Sequence, residues 1–94
     1  MINSGKQGAS ALIYTGPCKI YWVLFTGDTA KEPTLTIYDY ASAGGTAKFF
    51  AMVSDENHSF FVAFPKGEEI VCDIGIYAAL SAAEGDYIIQ YEPR

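Results

Sequence analysis

Chemistry in this chain of 94 residues would have to start from very few side chains. Its one histidine, His58, lies in the stretch Ser54-Asp55-Glu56-Asn57-His58-Ser59. A hydrolytic site would use His58 as base, Asp55 as its orienting partner and Ser54 or Ser59 as nucleophile. Adjacency along the chain does not supply such a site, because a triad requires convergent groups with distinct roles. Asp, Asn and Ser are turn formers, and the stretch reads as a polar loop between two apolar runs. Cys18 and Cys72 each sit inside a strand-like run, where a thiol behaves as a small hydrophobe. One histidine and two cysteines 54 positions apart do not make a zinc site. Asp55-Glu56-Asn57 offers oxygens but lacks the twelve-residue calcium-loop pattern. Gly44-Gly45 leads into no Lys-Ser/Thr and helix, so a phosphate-binding loop is not indicated. No catalytic residue, metal or cofactor is expected, and the chain reads as no enzyme.

Charge narrows the partners. The net charge is −5, with six Lys and Arg against eleven Asp and Glu. Nucleic-acid binding needs clustered basic residues, and anionic membranes ask for the same; neither partner is expected. No apolar run reaches the length of a membrane-spanning helix. The opening Met1-Ile-Asn-Ser-Gly-Lys-Gln-Gly lacks a basic region followed by a long apolar one, so no secretory signal is expected. A reducing compartment then favours free, buried thiols at Cys18 and Cys72, although an oxidising one would allow a disulfide.

The elements follow from short apolar runs cut by Gly, Pro, Asn, Asp and Ser. After a flexible arm over residues 1–9, a single domain is expected over 10–94. Strands are predicted near 11–14, 18–26, 34–40, 46–53, 59–64, 68–73, 74–80 and 87–92. Those over 68–80 could be two strands or one bent at Asp73 or Gly75. Seven to eight short strands at about ten-residue spacing mark a sandwich or barrel. The expected fold is all-β, a single antiparallel, jelly-roll-like sandwich. Helix propensity is confined to Ala78–Glu84.

Alternation sorts the faces. Leu35 and Ile37 point one way, with Thr34, Thr36, Tyr38 and Tyr40 opposite. Ile20, Trp22 and Leu24 share one face of their strand, and Tyr21, Val23 and Phe25 the other. Both of those faces are apolar. Phe49-Phe50 and Phe60-Phe61 are expected to form a hairpin around the loop 54–58. Phe50 then opposes Val62, Met52 opposes Phe60, and these four join the core. Phe49 opposes Ala63 and Ala51 opposes Phe61 on an outer apolar face, which would invite association if left bare. Half of the residues are hydrophobic, while ~55 strand residues turn only about half their side chains inward. The surplus implies a homo-oligomer, a trimer or other ring, whose interface includes Phe49, Ala51, Phe61, Ala63, Tyr21 and Phe25. As an alternative, a small carbohydrate-binding module or adhesin would stack sugars on Tyr38, Tyr40 and Tyr77, with Trp22 as a further platform and Asp39 or Asp73 as acceptor.

The order of runs resembles small β-sandwich structural proteins of tailed phages and marine viruses. The resemblance rests on Gly16-Pro17-Cys18-Lys19-Ile20, on Leu35-Thr36-Ile37-Tyr38-Asp39, on the small-residue loop Ala41 to Gly45 and on the closing Ile89-Gln90-Tyr91. It implies a virion component without enzymatic activity: a head-decoration, head–tail or tail-associated subunit. Its partners would be its own copies and capsid or tail proteins. It would be found in the host cytoplasm during assembly and in the virion afterwards.

Overall fold

The computed structural model describes residues 2–27, 34–52, 59–81 and 85–94, with the backbone alone for 50–52. Among them are nine strands and no helix: β1 (Ile2–Asn3), β2 (Ala11–Thr15), β3 (Cys18–Gly27), β4 (Thr34–Asp39), β5 (Thr46–Met52), β6 (Ser59–Ala63), β7 (Ile70–Cys72), β8 (Gly75–Leu80) and β9 (Gly85–Pro93). They form two antiparallel sheets packed face to face, a β-sandwich. The first sheet runs β1-β9-β3-β6, with β7 also paired to β3; the second runs β2-β8-β4-β5. The pairs nest along the chain. The inner hairpin β4–β5 lies within the pair β3–β6, that within β2–β8, and that within β1–β9. The strand beyond the expected eight is β1. Residues 2–9, expected as an arm, lie along β9: Ile2 is opposite Tyr91, and Gln7 bridges Tyr87.

The expected hairpin between the paired phenylalanines does not form. β5 pairs with β4 in the second sheet, and β6 pairs with β3 in the first. The two strands thus belong to different sheets; residues 53–58, including Ser54, Asp55, Glu56, Asn57 and His58, lie outside the described residues. Alternation identifies the faces of a strand but not its neighbour, and a polar loop serves a crossing as well as a hairpin.

Two bulges revise the expected faces. In β3 the register with β9 shifts between Ile20 and Trp22. Cys18 and Ile20 point inward before it, and Val23 and Phe25 after it, all fully buried. Trp22 and Leu24 accordingly leave the face of Ile20. A bulge adds one residue to one strand of a pair, so everything beyond it changes sides. In β5 the extra residue is Lys48, which sets Phe49 opposite Ile37. Phe49 thus packs against the core, with its ring 6.1 Å from that of Phe60 and 6.3 Å from that of Phe64. Phe60, opposite Phe25 at the sheet edge, lies on the inner face but stays 39% exposed. Ile20, Val23, Phe25, Leu35, Ile37, Ile76, Tyr87 and Ile89 fill the space between the sheets.

One charged side chain joins that inner row. Asp39 follows Leu35 and Ile37 in the inward period and is 7% exposed. Its carboxylate accepts the backbone N–H groups of Asp73 (3.0 Å), Ile74 (2.8 Å) and Gly75 (3.2 Å). Burial pushes its pKa up, but the three N–H bonds and Lys48 outweigh burial and hold it below the ordinary carboxylate value. Asp39 thereby clamps the corner where the chain leaves β7 in one sheet and enters β8 in the other. Gly75 is required there, since a Cβ would lie 2.5 Å from the carbonyl oxygen of Tyr14 on β2.

Candidate functional site

The outer face of the first sheet carries the most exposed large hydrophobic side chain of the described residues, Phe61 at 59%. Register places its neighbours. Leu24 lies between Phe61 on β6 and Ile88 on β9; one row along, Trp22 lies between Ala63 and Gln90. The β3 bulge creates this grouping by turning Trp22 and Leu24 outward together. The Trp22 and Phe61 rings meet at 5.6 Å, tilted by 49°, the kind of offset contact aromatic quadrupoles favour. Trp22, Leu24, Phe61, Ala63 and Ile88 therefore form one apolar strip across three strands.

The strip ends in two hollows whose linings include charged side chains. At one end a depression of ≈ 240 Å³ is lined by Leu24, Ile88, Thr26, Tyr87, Lys6 and Asp86, with Lys6 Nζ 3.6 Å from Asp86. The hydroxyls of Thr26 and Ser59 meet beside it at 3.1 Å. At the other end a groove of ≈ 470 Å³ is lined by Lys19, Tyr21, Phe64, Lys66, Gly67 and Glu69. The Tyr21 hydroxyl donates to Glu92 Oε2 at 2.7 Å, and that bond raises its pKa. Among the described residues no three His, Cys, Asp or Glu side chains gather as metal ligands would. No family model, curated protein or solved structure matches the chain.

The expected interface residues divide. Phe61 and Ala63 lie on this outer face, and Tyr21 stands on the bulge at its margin. Phe25 is a correction: it is fully buried, opposite Phe60 and Tyr87. Phe49 is a second, since it packs inward. Ala51 stands opposite Leu35 in register, and its side chain is outside the described residues. Trp22, Leu24 and Ile88 complete the strip although alternation had not assigned them to it, because the bulge leaves no mark in a run that is apolar at every position.

The expected stacking residues lie on the other side of the sandwich. Tyr38 on β4 is directly opposite Tyr77 on β8, which is opposite Leu12 on β2. Tyr40 follows the end of β4 and is 45% exposed. Asp39 and Asp73, the expected acceptors, are engaged elsewhere. Asp39 holds the corner, and Asp73 forms a close ion pair with Arg94. Trp22 is on the opposite outer face, so the structure separates it from the tyrosines.

Proposed function

We propose that this protein is a non-enzymatic structural subunit that assembles with copies of itself through the outer face of its first sheet. The observation that carries the proposal is the strip Trp22–Leu24–Phe61–Ala63–Ile88, in which Phe61 is 59% exposed and Trp22, Leu24 and Ile88 are half-buried. Contiguous exposed apolar surface on a small domain marks an interaction site. A stable interface takes about 800 Å² from each partner, and the broad side of a 37 × 26 × 20 Å domain is of that size. Charge favours a second copy there. The molecule carries −5 overall, yet around this face Lys6, Lys19 and Lys66 accompany Asp86, Glu69 and Glu92. These charges of opposite sign are interleaved around the strip, so a second copy meets little net like-charge repulsion there.

The nested antiparallel pairs, in orders β1-β9-β3-β6 and β2-β8-β4-β5, support the jelly-roll reading of the sandwich. With the viral resemblance of the strand and turn motifs, they favour a virion component: a decoration, head–tail or tail-associated subunit forming a trimer or other ring. Phe61→Asp tests the interface. The variant should sediment as a monomer and keep its β circular dichroism. An oligomer of unchanged size would overturn the assignment of this face.

The paired Tyr38 and Tyr77 favour one second reading, a carbohydrate-binding module or adhesin that stacks a sugar on the outer face of the second sheet. A glycan array decides: saturable binding lost in Tyr77→Ala would support it, and no binding would remove it.

A further inference from the structure

We propose that Cys18 and Cys72 are a redox-active pair that closes to a cross-strand disulfide and fastens β7 to β3. The two residues, far apart in the chain, stand directly opposite each other in the antiparallel β3–β7 pair. Both are free thiols and fully buried. Facing residues of an antiparallel pair have Cα atoms about 4.5–5.5 Å apart, inside the ~4.4–6.8 Å that a disulfide spans. The interaction between the two facing thiols pulls the Cys18 pKa down and, with burial, pushes that of Cys72 up. Whichever sulfur ionises first attacks, and the facing one is placed to resolve it.

Access comes from the fold. β7 has three residues, and among the described residues its strand pairing is to β3 alone. Short edge elements of this kind open locally without global unfolding. A small peroxide is a sufficient oxidant. With Cys18 ionised, its thiolate attacks one peroxide oxygen, the O–O bond breaks, and the leaving hydroxide takes up a proton as water. The Cys72 sulfur then attacks the Cys18 sulfenic sulfur, the S–O bond breaks, and the second hydroxide leaves with the Cys72 proton as water. Two thiols and one hydrogen peroxide thus give one disulfide and two waters.

The bridge would fasten the short strand that leads into the Asp39 corner. Cys72 is followed by the Asp73–Ile74–Gly75 N–H groups that Asp39 holds, and its carbonyl accepts from Arg94 Nη2 at 3.2 Å. Closing the pair ties the strand on one side of this corner to the centre of the first sheet.

The test treats the folded protein with hydrogen peroxide, blocks remaining thiols and maps peptides by mass spectrometry. The expected result is one intramolecular Cys18–Cys72 peptide. The oxidised protein should also unfold at a higher urea midpoint than the reduced one, and dithiothreitol should abolish the increase. Cys72→Ser should show no such increase, which separates the bridge from oxidation of Met1 or Met52. Two free thiols after treatment, a bridge between molecules as the sole product, or a bridge that lowers the midpoint would overturn the proposal.

Discussion

Replacing Asp39 probes the corner between the sheets with a magnitude that the hydrogen bonds themselves set. Its Oδ1 accepts from Ile74 and Gly75, and its Oδ2 from Asp73. Asn can keep one oxygen in the Oδ1 position. Its amide nitrogen then faces the Asp73 N–H, donor against donor, so one bond is lost and one repulsion gained. Hydrogen bonds to a charged acceptor contribute about 1.5–3 kcal/mol each, and a neutral acceptor about half that. One such bond lost and two halved come to about 3–6 kcal/mol, but Asn does not carry the desolvation cost of the buried carboxylate, and Asp39→Asn should cost about 1–2 kcal/mol net. Asp39→Ala loses all three bonds. Asp73 and Ile74 are exposed residues whose N–H groups can recover water, whereas Gly75 is buried. The loss is therefore less than the sum of three, about 3 kcal/mol. For a domain of this size that lowers the melting temperature by ~12–24 °C. The carboxylate also has a pH signature. Its folded pKa is depressed below the ordinary 3.8. Its contribution is thus fully present above that unfolded value and is lost as pH falls through the lower folded one. Urea unfolding from neutral pH down to pH ~3 should show the wild type losing this contribution on acidification, with Asp39→Asn following a flatter course. Equal stability of wild type, Asn and Ala variants at neutral pH would refute the clamp.

Two other perturbations follow from the same geometry. Gly75→Ala drives a Cβ against the Tyr14 carbonyl and should cost about 1–3 kcal/mol as β2 and β8 are forced apart; an unchanged urea midpoint would contradict that close approach. Trp22 is the one tryptophan and lies in the proposed interface, so its emission should shift to the red on dilution as copies separate. An emission maximum independent of concentration, in a sample shown to dissociate, would place the interface elsewhere.

Strand positions and fold class were legible because apolar runs and turn residues alternate along the chain. The straddling of Phe60 and Phe61 was legible too, since adjacent residues of a strand take opposite faces. Pairing was not. β5 and β6 share the grammar of a hairpin, and only the closing of β3 onto β9 and of β4 onto β8 assigns them to different sheets. The bulges at Tyr21 and Lys48 were hidden for a related reason. A run such as Ile20-Tyr21-Trp22-Val23-Leu24-Phe25 is apolar at every position, so a one-residue shift changes which side chains face out without breaking a pattern. Asp39 carried a signal, its place in the inward period of Leu35 and Ile37, but a carboxylate there made sense only once β7 and β8 were seen to present three N–H groups to it. Cys18 and Cys72 could not be brought together by spacing, because their meeting depends on β7 lying along the edge of β3.

The central claim is self-assembly through the outer face of the first sheet, and sedimentation equilibrium of the unmodified chain tests it most directly. The account predicts a concentration-dependent mass reaching a whole-number multiple of 10.2 kDa, with Phe61→Asp held at the monomer mass under the same conditions. A wild type that stays at the monomer mass at every concentration would contradict it.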